Sequence, residues 1–327
     1  MVLGAGVGRS AGSISGKMMG DAVRSVLPIL TVVAVLLGVW MLSVVPMNIH
    51  LAADQAQRDG VVVVPDTPIA RQDVGAVALA LRNPAVVPMT YVLDRPRLPG
   101  PQQVAAELWK TTFGVKVTSK KSLVYHGWVT LSATLLGFAI GTTLGIALAV
   151  GIVFSRTMDL SVMPWAIASQ TIPILALAPM IIVMLGSLGI QGLLPKAIIS
   201  AYLSFFPVVV GMVKGLRSPD GMQLDLLRTY HASASQGFWK LRLPASMPYL
   251  FASLKIGISA ALVGAIVGEL PTGARAGFGA RMLVGDQYGQ PLVTWAALFA
   301  AAITAAVLVG IFSLAERASL KRMGMVR

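Results

Sequence analysis

The sequence predicts an all-α integral membrane protein with six transmembrane helices, a prediction that follows from its composition and from the length of its apolar segments. Hydrophobic residues make up 56% of the 327 residues and charged residues only 12%, about half the charged share of a typical soluble domain. A bilayer core about 30 Å thick needs about 20 apolar residues in a helix. The segments of that length cover residues 26–47, 128–154, 160–185, 193–213, 249–270 and 292–314.

The first 25 residues predict a flexible tail, because glycine and serine are frequent among them. Residues 12–18 look like a phosphate loop, but the glycine spacing is one residue short and a methionine replaces the hydroxyl that would reach magnesium. The span that follows could be a cleaved signal peptide. Its apolar stretch exceeds the usual signal core of about 7 to 15 residues, which favours a retained helix.

Residues 48–125 predict a segment outside the membrane. Its apolar runs, at 61–64 and 74–81, are too short to cross a bilayer and are surrounded by prolines and charges. Arg and Lys concentrate before the first span, between the second and third, between the fourth and fifth, and after the last. By the positive-inside rule these parts are cytoplasmic, including both tails, 1–25 and 315–327, so that 48–125 is extracytoplasmic.

The second span carries small residues at every fourth position. Gly137, Gly141, Gly145 and Ala149 therefore share one helix face, which lets another backbone approach closely. This face predicts helix packing, either within the chain, which is favoured, or against a second subunit.

The third span is interrupted by proline in a way that lipid-facing helices seldom are. Proline at 173 frees a carbonyl and kinks the axis, which is tolerated where neighbouring helices or a cavity satisfy it. Gln170, Thr171 and Pro173 are therefore candidates for a polar pathway through the membrane. A kink that serves packing alone is the alternative.

The loop before the fifth span has the most informative pattern in the chain. Residues 230–255 read YHASASQGFWKLRLPASMPYLFASLK and place Phe238 and Trp239 beside the basic residues Lys240 and Arg242. Aromatic side chains flanked by basic ones are typical of a docking surface, with aromatic anchors and steering charges at the rim. An amphipathic helix lying on the inner leaflet is the alternative.

This loop resembles the coupling loop, or EAA loop, of type I ABC importer permeases of the nitrate, sulfonate, taurine and pyrimidine-precursor class. The matching residues are Ala232, Ser233, Leu243, Pro244, Ala245 and Pro248. His231 departs from the family pattern, which has glycine there, and glycine tolerates backbone angles that histidine does not. The resemblance covers most of the chain from Leu98 onward.

The resemblance implies a five-helix permease core over 126–314, preceded by one N-terminal helix, with a cytoplasmic coupling loop at 214–249. It implies docking of that loop on a separate ATP-binding cassette ATPase. The implied coupling residues are His231, Ala232, Ser233, Phe238, Trp239, Lys240, Arg242, Leu243 and Pro244. The implied partners are two ATPase subunits, a second permease copy and an extracytoplasmic substrate-binding protein, and contact of that protein with the insertion 48–97 is a hypothesis.

Glu269, at the outer end of the fifth span, is the candidate functional carboxylate. Family members commonly have an acidic residue here, followed by a glycine-rich stretch similar to 273–279, which implies a role near the outer gate. The alternative is an interfacial carboxylate that caps a helix or pairs with Arg275 or Arg281.

The resulting prediction is a non-catalytic permease subunit in a bacterial inner membrane. No catalytic residue, metal site or cofactor is expected in this chain, and ATP and magnesium would bind the partner ATPase. The net charge of +13 lies in loops between spans and does not indicate nucleic acid. The expected cargo is a small nutrient, with a lean toward pyrimidine-like compounds, and an ion-gradient-driven secondary transporter is the alternative.

Overall fold

A computed structural model describes residues 11–271 and 276–325, with side chains from Leu27 onward. Every regular element among these residues is a helix, and the predicted all-α fold is confirmed. Within the described ranges, five helices are long and apolar enough to cross a membrane, and the number is six if a bent helix pair counts as one span. The chain divides into two compact units, Met1–Ala105 and Ala106–Arg327.

The first unit is a long helix followed by a small helical cap. The elements are α1 (Ala11–Arg58), α2 (Pro68–Gln72), α3 (Ala76–Arg82) and a 3-10 helix (Pro84–Tyr91). The helix α1 continues well past the predicted end at residue 47, and its last turns carry Ile49, Ala53 and Ala56 into the core of the cap. The cap therefore rests on α1.

A buried asparagine fixes the return of the chain beside α1. The Asn48 side-chain amide donates to the carbonyl of Leu98 at 2.7 Å and to that of Thr90 at 3.2 Å. Its oxygen accepts from the amides of Arg97 and Leu98 at 2.8 and 3.1 Å. The full hydrogen-bonding capacity of this side chain is thus satisfied, as burial requires.

The second unit is the helix bundle, entered through α4 (Pro101–Phe113), which spans the division between the two units. Its further elements are α5 (Leu123–Phe154), α6 (Arg156–Ser169), α7 (Ile174–Ser187), α8 (Leu193–Leu216), α9 (Gly221–Thr229), α10 (Ala234–Gly237), a π-helical turn (Phe238–Arg242), α11 (Leu243–Glu269), α12 (Phe278–Gln287) and α13 (Pro291–Arg322). More than half of the α8 residues are buried, and α8 packs between α5 and α11.

The small residues of α5 lie against α8 of the same chain. A Cβ atom added at Gly141 would lie 2.9 Å from the carbonyl oxygen of Ala201, and one at Gly145 would lie 2.9 Å from that of Phe205. At Gly137 the added atom would meet the Ser200 side chain. We refer to Gly137, Gly141 and Gly145 as the glycine seam. It lets the backbones of α5 and α8 approach at a distance that no larger residue would allow.

The predicted third span, 160–185, is two helices instead of one. The axes of α6 and α7 differ by 98° across a break at residues 170–173. The proline at 173 disfavours helical geometry at the residue before it, so α6 ends at Ser169 and α7 starts at Ile174, with Pro173 as its N-cap. This bent pair is a broken span or a re-entrant loop.

Candidate functional site

One end of the bundle holds a buried carboxylate at the point where α5, α8 and α11 meet. Glu269, the last residue of α11, is fully buried. Its Oε1 accepts from the Thr130 hydroxyl at 2.9 Å, and its Oε2 accepts from the Gly279 amide at 2.8 Å. The Lys196 ammonium lies 4.0 Å from Oε1. We call Glu269, Lys196, Thr130 and His126 the Glu269 cluster.

The cluster also holds the chain that leads into α12. The Gly277 amide donates to Nδ1 of His126 at 2.9 Å, and the Phe278 amide donates to the Thr130 hydroxyl at 2.8 Å. Gly277 has φ +127°, a conformation that residues with a Cβ rarely adopt, and an added Cβ would collide with the Glu269 carboxylate. The glycine here is required both by the backbone and by the close approach.

Burial without partners would make this carboxylate costly, and the surrounding groups provide them. Buried charges are tolerated where they are paired and hydrogen-bonded, and Lys196, itself 7% exposed, is the cationic partner. Arg275, one expected alternative partner, lies outside the described residues. Arg281 is the other alternative partner of Glu269. Desolvation by burial lowers the pKa of Arg281, and attraction to the Glu107 carboxylate opposes that shift.

The candidate pathway residues lie at the break between α6 and α7. Thr171 and Pro173 are exposed and Gln170 is half-buried on the surface of the single chain. The Tyr202 hydroxyl of α8 donates to the Ser169 carbonyl and so ties the end of α6 to the bundle. The break therefore presents polar groups on a face that this chain alone does not enclose.

The opposite end of the bundle carries the predicted coupling loop. His231 has φ +50° and ends α9 in a left-handed conformation. The Ala232 amide donates to the Leu227 carbonyl at 3.0 Å, and the His231 amide donates to that of Arg228 at 2.9 Å. These two bonds form a Schellman ending, in which glycine is usual at the left-handed position. The backbone geometry that the family's glycine favours is thus kept, with a histidine.

Ser233 begins the next helix with a reciprocal cap. Its hydroxyl accepts from the backbone amide of Gln236 at 3.2 Å. In return, the side-chain oxygen of Gln236 accepts from the backbone amide of Ser233 at 2.9 Å. This capping box satisfies donors that a helix start leaves unpaired. The short helix α10 is therefore defined at both ends, by the left-handed turn before it and by the π-helical turn after it.

The π-helical turn separates outward from inward side chains. Trp239 is 64% exposed and Lys240 is also exposed. Phe238 points into the bundle, with its ring centroid 5.8 Å from that of Phe154 in an edge-on arrangement. The placement of Phe238 differs from the surface anchor that the sequence predicted, because its ring packs within this chain.

Arg242 also faces inward, which differs from the predicted rim position. Its Nη1 donates to the Leu216 carbonyl at 2.8 Å, and its guanidinium lies 6.0 Å from the centroid of the Phe154 ring. Leu243 packs against the core beside α5 and α8, and Pro244 lies in the first turn of α11.

A cleft of about 260 Å³ opens beside the coupling loop. Leu224, Leu227 and Ala234 give it apolar walls, while Arg228 and Arg242 stand at its side. Arg228 is paired with Asp225 at 3.0 Å, and both side chains are largely exposed. The loop thus offers a protruding indole next to a recess of side-chain size.

Sequence reasoning did not identify Lys196, Thr130 and His126 as members of one cluster. Lys196 carried a usable signal, because an ionisable residue inside an apolar segment indicates a buried partner. The same signal applies to Lys255, which pairs with Glu316 at 2.7 Å between α11 and α13. Thr130 and His126 carried none, since their roles come from the return of residues 277–279 to α5.

Comparisons with known proteins agree with this architecture. A protein family described as "Binding-protein-dependent transport system inner membrane component" matches residues 141–325. A probable ABC transporter permease protein of Haemophilus influenzae is 32% identical over 200 residues, which are 61% of this chain and 76% of that protein. The formylaminopyrimidine transport permease protein ThiX of Halalkalibacterium halodurans is 33% identical over 154 residues, 47% of this chain and 60% of that protein. A putative aliphatic sulfonates transport permease protein, SsuC of Bacillus subtilis, is 26% identical over 67% of this chain and 79% of its own length.

Proposed function

Since this chain belongs to the family of binding-protein-dependent transport system inner-membrane components, we propose that it is the permease subunit of an ATP-driven importer for a small nutrient. It is a multi-pass membrane protein and a non-catalytic subunit. The observation that carries the proposal is the exposed Trp239 and Lys240, held on the π-helical turn between a short capped helix and a membrane span. Such a surface supports docking of a separate subunit that supplies the energy for transport.

The proposed energy-supplying subunits are two ATP-binding cassette ATPases. Trp239 supplies a large, rigid apolar anchor, and its neighbour Lys240 supplies an exposed positive charge that favours docking on an acidic rim. The 260 Å³ cleft beside α10 has room for a side chain of the partner. ATP and magnesium would bind the ATPases, and no cofactor is assigned to this chain.

A second permease copy is the proposed other half of the pathway. Gln170, Thr171 and Pro173 lie at a break in the helix on the chain's own surface. Polar groups and broken backbone at membrane depth are tolerated where protein or a water-filled cavity covers them. A second copy facing the same break would enclose a polar passage between the two chains.

The Glu269 cluster is proposed as a latch near the outer gate. It joins α5, α8 and α11 to the start of α12 through one carboxylate, one ammonium and three backbone amides. An outward-opening movement that separates these helices would have to break charge-assisted hydrogen bonds in a buried setting. The latch would therefore favour the closed arrangement until substrate arrives.

The proposed orientation places both termini and the coupling loop in the cytoplasm, and residues 48–125 outside. The extracytoplasmic binding protein would deliver a nitrate-, sulfonate-, taurine- or pyrimidine-like compound. The relatives named for formylaminopyrimidine and aliphatic sulfonates support this class of small nutrients, with the pyrimidine-like group preferred.

Affinity purification of the tagged chain from its native membrane in mild detergent tests the proposal. We expect a P-loop ATPase to co-purify, and Trp239→Ala to remove it, because loss of a central aromatic anchor costs about 2 kcal/mol or more of binding. Trp109→Ala is the matched control, since Trp109 is 68% exposed against 64% for Trp239. Equal recovery of the ATPase with both variants would refute docking through Trp239.

The same preparation separates the ion-gradient alternative. A chain recovered without any ATPase, with uptake that stops on adding a protonophore and survives ATP depletion while the gradient is clamped, would establish a secondary transporter instead.

A further inference from the structure

The junction between the coupling loop and the spans contains a charged side chain that faces the spans. Arg242 is the last residue of the π-helical turn, and α11 begins at the next residue, Leu243. Lys240, two residues earlier, is exposed, whereas Arg242 is half-buried. The two basic residues of this turn therefore differ in what they can reach.

Arg242 contacts the ends of two other spans. Its Nη1 donates at 2.8 Å to the carbonyl of Leu216, the buried last residue of α8. A carbonyl at a helix C-terminus has no donor within its own helix and carries the negative end of the helix dipole, so a guanidinium suits it. The same guanidinium lies 6.0 Å from the ring centroid of Phe154, the last residue of α5, which is within cation–π range.

The π-helical turn is what orients Arg242 in this way. The Leu243 amide donates to the Phe238 carbonyl, five residues earlier, so the turn holds one residue more than an α-helical turn. Phe238 and Arg242, four residues apart, face the same side, and both contact the Phe154 ring. Such turns within helices occur frequently at functional sites.

These contacts are side-chain links from the loop to α5 and α8. We define residues 219–242 as the coupling segment. A displacement of the segment reaches α11 through the peptide bond that follows Arg242 and reaches α8 through residues 217–218. At its Arg242 end, the segment reaches the ends of α5 and α8 through packing and hydrogen bonds. Arg242 supplies both kinds of contact at once.

On the basis of the proposed ATP-driven function, we propose that Arg242 is a positioning residue that transmits displacement of the coupling segment to the cytoplasmic ends of α5 and α8. Its role is mechanical and distinct from ATPase docking, which belongs to the exposed side of the same turn. Loss of Arg242 would leave the ATPase bound while weakening the connection between the ATPase and the spans.

The test uses the full assembly purified through a tag on this chain and placed in lipid nanodiscs. Arg242→Gln, Arg242→Lys and the control Arg322→Gln, at an exposed arginine that ends α13, are compared for ATPase recovered per chain and for the stimulation of ATP hydrolysis by the co-purifying binding protein. We expect Arg242→Gln to keep the ATPase and to reduce the stimulation about fivefold or more, the range of a typical coupling free energy. Arg242→Lys keeps the charge without the planar group and should give a stimulation between those of the native chain and Arg242→Gln, while Arg322→Gln should keep the native stimulation.

A distance measurement supplies a readout that does not depend on activity. The chain has no native cysteine, so spin labels can be placed at Ser235→Cys on α10 and Ser218→Cys directly after α8, both exposed positions. We expect one narrow distance in the native assembly, unchanged by ATP, and a broadened distance with Arg242→Lys or Arg242→Gln.

Two results overturn the inference while leaving the proposed function intact. One is native stimulation and a native label distance with Arg242→Gln; the other is loss of the ATPase itself, which would make Arg242 a docking residue. Absence of an ATPase from the native assembly would overturn the proposed function, and this inference with it.

Discussion

At the scale of single residues, the Glu269 cluster contains a pair of buried, opposite charges. Glu269 and Lys196 lie 4.0 Å apart in a fully buried setting, with Thr130 and the Gly279 amide as further donors to the carboxylate. Such a pair adds little net stability compared with apolar residues, but removal of one partner is expensive because the other charge stays buried. We therefore expect the cluster to favour the arrangement of helices in which both charges are paired.

We predict that Glu269→Gln lowers the free energy of unfolding in detergent by about 3 kcal/mol, since the substitution leaves the Lys196 ammonium without its carboxylate. Lys196→Met added to it should recover part of the loss, with an interaction energy of about 0.5 to 3 kcal/mol in the double-mutant cycle. Asp225→Asn, which removes an exposed pair with Arg228, is the control and should change stability by less than about 1 kcal/mol. Additive effects of the two buried substitutions would contradict a direct pairing.

We predict that His231 tolerates glycine and rejects valine. The left-handed conformation at φ +50° costs a residue with a Cβ about 1 to 2 kcal/mol. Glycine avoids this cost, but its greater freedom in the unfolded chain lowers the stability of the fold by about 0.5 to 1 kcal/mol. His231→Gly should therefore leave the thermal unfolding temperature nearly unchanged, whereas His231→Val should lower that temperature. A valine variant as stable as the native chain would show that the turn does not need the left-handed geometry.

Side-chain direction in the coupling loop could be predicted only in part. The exposure of Trp239 and Lys240 agrees with what the sequence suggests for a docking surface. Phe238 and Arg242 turn inward because the π-helical turn adds a residue and so shifts the phase of the helix by about 100°. A pattern based on 3.6 residues per turn contains no sign of that extra residue.

At the scale of elements, the bundle is organised by close packing of α5 on α8. The spacing of the glycine seam predicted a packing face, and the structure gives its partner as α8 of the same chain. The bend between α6 and α7 was predicted as a proline kink, but its size of 98° was not. A kink and a full break have the same proline signature, and only the contacts of Tyr202 and the neighbouring helices distinguish them.

We predict that Gly141→Leu disrupts the bundle. A Cβ at this position would lie 2.9 Å from the Ala201 carbonyl oxygen, and overpacking of this kind typically costs about 1 to 3 kcal/mol or more. Gly310→Leu is the matched control in α13, because among the described residues no atom outside its own helix backbone and chain neighbours lies within 4 Å of a Cβ added there. Size-exclusion profiles and thermal unfolding in detergent should show loss of the folded species for Gly141→Leu alone. Equal behaviour of the two variants would contradict the close approach of α5 and α8.

At the scale of the whole molecule, the sequence was informative about the number and length of spans and less so about their ends. Apolar length is a direct consequence of bilayer thickness, so five spans and a bent pair follow from it. The ends depend on polar contacts outside the apolar stretch, as where α1 extends to Arg58 and its last turns enter the core of the cap. Buried contacts between distant segments, such as those of Glu269, carry no local signal.

We predict opposite membrane sides for the cap and the coupling loop. In the chain, which has no cysteine, Asp66→Cys and Ser235→Cys place single thiols at exposed positions. A membrane-impermeant maleimide added from outside the inner membrane should label Asp66→Cys at once and Ser235→Cys only after the membrane is opened. Reversed labelling would contradict the orientation derived from the basic loops.

We propose that this permease is driven by ATP through a separate subunit. The most direct test is ATP hydrolysis by the assembly purified through a tag on this chain and placed in lipid nanodiscs, with and without the binding protein that co-purifies. We predict ATP hydrolysis that the binding protein accelerates and that Trp239→Ala abolishes. An assembly that hydrolyses no ATP, together with solute uptake that follows an imposed ion gradient, would contradict it.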